Sequence, residues 1–329
     1  MPKTPASKHN IEISLDQLRK VFTANEHPKS TVRKIDREIS ENLHGFLKEN
    51  VVTSDYSLKR IEDHLKEYKV PSNPILVAEQ TDFLLDKIVK NSVHTAAPSF
   101  VGHMTSALPY FMLPISRLMI ALNQNLVKIE TSKAFTPLEK QVIAMIHHLV
   151  FQESNGYYEA HMHSPERAIG VMCSGGTVAN ITALWIARNK LLPPKADFLG
   201  VEQDGVLKGC MAHGYKDLVI LGSELAHYSI GKCAGVLGIG RKNIKKIPCD
   251  ASGKIRLESL KEAIAECQKN QLGIVGVVAL AGSTEIGSVD DIQSVSEICQ
   301  KEGIHLHVDA AWGGPTLFSQ EHGLSLIHI

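Results

Sequence analysis

The sequence predicts an α/β protein: a mostly parallel sheet with helices on both faces, preceded by a helical N-terminal segment. Three observations lead there. After Ser164 short apolar runs alternate with helical patterns. Those runs are continuously apolar, as strands buried on both faces must be. Before residue 95 the apolar positions recur only at helical spacing.

In the N-terminal segment, Ser14 with Gln17 three positions later forms a capping-box pattern ahead of Leu18, Val21 and Phe22. Tyr56 to Tyr68 is charged, with Leu58, Ile61 and Leu65 at helical spacing; Pro71 and Pro74 end it, and Ile75 to Lys90 resumes the pattern. Each helix carries one thin apolar stripe, which suits packing on something larger. Asn91 to Pro109 is aperiodic and reads as a loop of the kind that carries binding residues. At Thr136-Pro137-Leu138-Glu139 a strong helix is expected to begin, with Thr136 as cap, Pro137 at its first position and Glu139 reaching back. Its core face would hold Leu138, Val142, Ile143, Met145, Ile146, Leu149 and Val150.

The expected strands are Ala168–Met172, Leu218–Leu221, Lys245–Ile247, Ile274–Ala279 and Ile304–Val308. The expected helices are Val178–Lys190, Leu257–Gln268 and Ile292–Lys301, the last capped by Asp290 or Asp291 and stopped by Gly303. The reading divides the chain into a helical arm, 1–95, and a larger domain, 96–329.

Composition narrows the class. The 329 residues are 43% apolar, and 35 basic residues balance 35 acidic ones. An even balance without clustering gives no electrostatic footprint for nucleic acid or an anionic membrane. No apolar run reaches the roughly 18 residues of a membrane span, and residues 1–20 lack a signal-peptide core. Cys173, Cys210, Cys233, Cys249, Cys267 and Cys299 form no Cys-x-x-Cys pair, so they read as reduced thiols of a soluble cytoplasmic protein.

Ligands of a parallel sheet bind beyond the carboxyl ends of its strands. Four elements lie there. Ser174-Gly175-Gly176-Thr177 opens a helix, where first-turn N–H groups and a hydroxyl suit a phosphate; a plain tight turn reads equally well. His227, past the second strand, suits stacking or proton transfer. Ser283 and Thr284 place hydroxyls after the fourth strand. Asp309, at the end of His305-Leu306-His307-Val308, is followed by Ala310 and Ala311, which leave room for something flat. A buried carboxylate there needs a cation, and a protonated pyridine nitrogen would supply one; taken alone, a capping Asp at a strand end is the plainer reading.

Order and spacing of these elements resemble the group II pyridoxal-phosphate-dependent amino-acid decarboxylases, over nearly the whole chain. The resemblance implies a fold type I, aminotransferase-like large domain and carboxy-lyase activity with pyridoxal 5′-phosphate. Ser174, Gly175, Gly176 and Thr177 would hold the cofactor phosphate, His227 and Ala311 would cover the two ring faces, and Asp309 would bind the ring nitrogen. Ser283 or Thr284 would lie near the 3-hydroxyl. His227 would also assist reprotonation.

Pro98 to Thr105 resembles the family's substrate loop, with His103 and Thr105 facing the substrate. Gly102 to Asn125 and Ser132 to Pro137 look most like the bacterial aspartate-specific members. That implies conversion of L-aspartate to β-alanine and CO2, feeding pantothenate synthesis; glutamate is the alternative. The resemblance further implies a homodimer.

The family's Schiff-base lysine follows a histidine beyond the Asp-Ala-Ala motif, yet residues 310–329 contain no lysine. The expectation is a fragment of a longer enzyme, inactive by itself, whose sheet lacks its middle. Two other classes compete. His305, His307 and Asp309 alternate onto one strand face as in some metal-dependent hydrolases, although Ala310 stands where that pattern has another histidine. A non-catalytic fragment acting in a heterodimer is the other. Gly235 to Gly240 lacks the order and preceding strand of a dinucleotide fingerprint.

Overall fold

The structure, a computed structural model, describes residues 14, 31–48, 52–53, 57–105 and 107–319. It divides into two compact units, 1–123 and 124–329, so the loop carrying His103 and Thr105 belongs to the first.

The first unit is helical. Helix α1 spans Thr31–Lys48, α2 Leu58–His64, α3 Val77–Phe83 and α4 Met112–Leu122. The α3 axis continues as a π turn, Leu84–Ile88, and a 3-10 turn, Val89–Asn91. Arg117 of α4 reaches the Asp36 carboxylate of α1 at 3.0 Å and donates to the Ser40 hydroxyl at 3.2 Å. The helix expected over Tyr56–Tyr68 is shorter at both ends, because the run after His64 approaches Pro71 and has no buried partner. The Ser14 capping box cannot be placed, since Gln17 to Phe22 lie outside the described residues.

In the second unit, α5 (Ile129–Ser132), α6 (Phe135–Phe151) and α7 (Asn155–His161) precede α8 (Gly176–Leu191) and α9 (Val201–His213). Strand β1 (Asp217–Ser223), α10 (Ser229–Val236), β2 (Ile244–Ile247), α11 (Leu257–Lys269), β3 (Leu272–Leu280), α12 (Ile292–Glu302) and β4 (Leu306–Asp309) follow. The sheet runs β2-β1-β3-β4 with every pair parallel. β1 and β3 are buried along nearly their whole lengths, which is why they read as unbroken apolar runs.

One face packs Val219, Leu221, Val277 and Ala279 against α11 and α12; the other packs Leu218, Ile220, Val275 and Val278 against α8 and α10. Val275 and Val277, two positions apart, face opposite ways. The register shift between Val219 and Ile220 accounts for it: β3 carries one extra residue there, a bulge that reverses its alternation. From the bulge onward the pairing is regular, and Leu280 lies opposite Asp309.

Four cysteines are buried in these faces and two are half-buried; all six are free thiols, and burial pushes Cys233 and Cys299 up to about 11. As expected, the Asp291 carboxylate caps α12 by accepting the Ser294 N–H at 3.1 Å, and Gly303 ends that helix with φ 66°.

Three local expectations fail. Ala168–Met172 is not a strand, and Val171 and Met172 are exposed. An apolar run becomes a strand only beside a partner that takes its N–H and C=O groups, and among the described residues none flanks it. Helix α6 begins at Phe135 with Ala134 as its cap residue, so Thr136 is inside the first turn. The Thr136 hydroxyl bonds Ser132 instead. Pro137 fits there because first-turn N–H groups have no intrahelical acceptor. Leu138, Val142, Met145 and Ile146 of α6 are exposed, leaving only Ala144 of that helix buried.

Candidate functional site

The loops at the carboxyl ends of β1, β3 and β4 meet the N-terminus of α8. The Ser174-Gly175-Gly176 turn is exposed, and a Cβ built on Gly175 meets nothing within 4 Å. A Cβ on Gly176 would lie 3.9 Å from the Ala311 Cβ, which places the glycine turn beside the Asp-Ala-Ala segment. The N–H groups of Gly176 and Thr177 open α8 and point where an anion gains most from the helix field. The Cys233 thiol, kept protonated by burial, donates to the Thr177 carbonyl at 3.8 Å and holds the turn from below.

Asp309 ends β4 half-buried, not enclosed as the sequence suggests; among the described strands β4 lies at the edge of the sheet. Each of its oxygens takes one protein donor: the Ala311 N–H reaches Oδ1 at 3.2 Å and the Asn180 amide reaches Oδ2 at 3.1 Å. His227, after β1, is half-buried too. Its Nδ1 takes the Ser229 N–H at 3.3 Å and lies 2.8 Å from the Ser229 hydroxyl. The Tyr228 ring centroid sits 4.0 Å from the imidazole centroid, with the two planes 42° apart.

The serine-threonine pair is less available than its sequence suggests. Ser283 is buried, and its hydroxyl bonds the Ser288 hydroxyl at 2.8 Å while accepting the Ser288 N–H at 3.1 Å. That closes the loop after β3 on itself; Thr284 is exposed. His103 and Thr105 are exposed on their loop in the first unit.

The metal-ligand pattern does not assemble. Among the described residues no three His, Cys, Asp or Glu side chains are grouped to hold an ion. His307 bonds its Nε2 to the Asn180 Oδ1 at 2.7 Å, and burial pushes its pKa down to about 4. Burial, with Lys190 nearby, lowers His305 as well. His307 lies on β4, committed to that hydrogen bond, and His305 immediately precedes the strand. Residues 235–240 form the end of α10 and the turn after it, with no strand directly before them.

A helix N-terminus open to an anion, a carboxylate followed by two alanines and an imidazole after the neighbouring strand together suit a flat phosphorylated ring. Comparison with known proteins decides the family. The sequence profile described as "Pyridoxal-dependent decarboxylase conserved domain" matches residues 63–328, most of the chain. The chain belongs to this family. It is thus related to carboxy-lyases.

Among its relatives, an aspartate 1-decarboxylase of Aliivibrio fischeri is 47% identical over 311 residues, 94% of this chain and 57% of that protein. The acidic amino acid decarboxylase GADL1 of Bos taurus is 30% identical over 236 residues, 71% of this chain and 40% of that protein. The chain therefore spans little more than half the length of its curated relatives at most. Solved structures agree on the fold. Mouse CSAD superposes with a TM-score of 0.77 at 22% identity, over 92% of this chain and 59% of that one. The glutamate decarboxylase domain of a Vibrio parahaemolyticus protein gives 0.78 at 22% identity, over 93% and 63%. The α/β, parallel-sheet expectation holds, and no described helix is long and apolar enough to cross a membrane.

Sequence reasoning missed Asn180 and Ser229, which join Asp309 to His227. The available signal was position: Asn180 follows Gly176 by one helical turn, and Ser229 follows His227 by two residues.

Proposed function

We propose that the complete protein is a pyridoxal-5′-phosphate-dependent decarboxylase converting L-aspartate to β-alanine and CO2. The observation carrying this is the 47% identity to an aspartate 1-decarboxylase across 94% of the chain, against 30% or less for GADL1 and glutamate decarboxylase relatives. The remainder of the reading is a cytoplasmic homodimer whose β-alanine enters pantothenate synthesis.

The residues present fit the cofactor. The open cradle over Gly175 admits a phosphate, which would take N–H donors from Gly176 and Thr177 and the Thr177 hydroxyl. The bound ring supplies an electron sink for the pair left when the carboxyl group departs. Asp309 holds the proton on the ring nitrogen, because its fixed carboxylate favours the charged pyridinium form. His227 covers one ring face and carries a hydrogen on Nε2 for proton transfer, while Ala311 leaves room at the other. Thr284, with its hydroxyl exposed, is better placed than Ser283 for the 3-hydroxyl. Ser174 and Gly175 shape the turn, and the family resemblance assigns His103 and Thr105, on the loop of the first unit, to the substrate.

The chain spans 57% of the aspartate 1-decarboxylase it matches, so turnover is proposed for the whole protein. The test supplies that enzyme with pyridoxal 5′-phosphate and either L-aspartate or L-glutamate, and follows CO2 with the amine product. β-Alanine from aspartate is expected. Preferential release of CO2 from glutamate, or from neither acid, contradicts the proposal.

A further inference from the structure

Asp309 and His227 come from the ends of different strands, and one buried side chain is bonded towards both. Asn180, in the second turn of α8, places Oδ1 2.7 Å from His307 Nε2. Its Nδ2 lies 3.1 Å from Asp309 Oδ2 and 3.0 Å from Ser229 Oγ. The chemistry of the partners fixes each role. A carboxylate only accepts, so the amide nitrogen must face Asp309; the flipped amide would set its oxygen against that carboxylate. Oδ1 then accepts from His307, whose hydrogen is on Nε2. Nδ2 spends its second hydrogen on Ser229. The Ser229 oxygen, already accepting, turns its own hydrogen to His227 Nδ1, 2.8 Å away, where the Ser229 N–H also donates. His227 is left with its ring hydrogen on Nε2.

Two donors, one per oxygen, hold the plane of the Asp309 carboxylate. Without Asn180 only the Ala311 N–H would remain, and the carboxylate could rotate about its last bond. We propose that Asn180 is a positioning residue: locked by His307, it sets the Asp309 carboxylate and, through Ser229, the His227 imidazole in one fixed relative geometry for the cofactor ring. It touches no reacting atom. The inference rests on the assignment of Asp309 to the ring nitrogen.

The experiment measures affinity for pyridoxal 5′-phosphate by fluorescence titration, so it needs no turnover. The proteins are wild type, Asp309→Ala, Asn180→Ser, Asn180→Asp and both double variants with Asp309→Ala; a thermal melt of each reports folding. Serine is too short to bridge the three partners and is small enough to be accommodated. Aspartate keeps the shape of asparagine but turns an acceptor towards Asp309. Asn180→Ser is expected to weaken binding roughly tenfold, within the range for coupled neighbours, and Asn180→Asp more. Most of that loss should vanish once Asp309 is alanine, leaving only the part carried through Ser229 to His227. Equal losses in both backgrounds, or serine and aspartate acting alike, would make Asn180 a general packing residue and overturn the inference alone. If Asp309→Ala binds as tightly as wild type, the assignment of Asp309 fails, and this inference fails with it.

Discussion

The Asn180 amide donates to the Asp309 carboxylate at 3.1 Å across 129 positions of sequence, joining the helix that opens the phosphate cradle to the strand that delivers the acid. The same amide accepts from His307 at 2.7 Å, so a half-buried histidine stands behind both. That arrangement has a pH signature.

Burial holds His307 near 4, below its unfolded value of 6.5. Between those values the unfolded chain binds the proton and the folded one does not, so stability rises with pH across that window and falls on acidification. The contribution is at most about 3 kcal/mol. His307→Gln keeps a donor in place without a titrating group. Subtracting its stability-pH profile from that of wild type cancels the carboxylates, and the difference should slope upward from about pH 4 to 6.5. A flat difference would mean His307 is not buried neutral.

Asp290 accepts the Leu280 and Ile255 N–H groups, each at 2.7 Å, and ties the segment before α11 to the end of β3. Burial pushes its pKa up, but the two donors keep it useful. Asp290→Ala strands both donors and should cost about 2–4 kcal/mol in denaturant unfolding. A loss below about 0.5 kcal/mol would show that water or a neighbour replaces it.

Gly313 donates to the Ala281 carbonyl at 2.9 Å, and a Cβ at Gly313 would lie 2.1 Å from that oxygen. Backbone cannot give way as a side chain can. Gly313→Ala should therefore lower stability by about 1–3 kcal/mol and displace the turn after Asp309, weakening cofactor affinity together with the melt. Unchanged affinity would separate this turn from the site.

His94 in the first unit is 2% exposed, its ring lies 4.7 Å from Phe46, and among the described residues neither ring nitrogen has a hydrogen-bond partner. Replacing it by phenylalanine removes two buried unsatisfied atoms and keeps the ring contact, so the melting temperature should rise, by about 1 kcal/mol of stability. A fall would mean the imidazole is satisfied in solution.

Much of this arrangement is legible in the sequence wherever burial writes the pattern. β1 and β3 read correctly because both faces are covered, and β4 delivers Asp309 to a strand end as expected. Ala168–Met172 misleads because an apolar run looks the same with or without a neighbouring strand. Thr136 misleads for a related reason: a hydroxyl near a helix start can cap it or bond sideways, and Ser132 decides which. The bulge at Val275 leaves no local mark, since every residue around it is small or apolar. Asn180 is invisible for the opposite reason. A polar residue in a helix ordinarily faces water, and only the meeting of three elements reveals that it does not.

The pairing of Asp309 with a ring nitrogen can be isolated by atom replacement. Affinities of wild type and Asp309→Ala are compared for pyridoxal 5′-phosphate and for its 1-deaza analogue, in which carbon replaces that nitrogen. Wild type should bind the nitrogen-bearing ring more tightly, and Asp309→Ala should bind the two alike. Equal binding by wild type, or a preference that survives Asp309→Ala, would show that Asp309 does not meet the ring nitrogen.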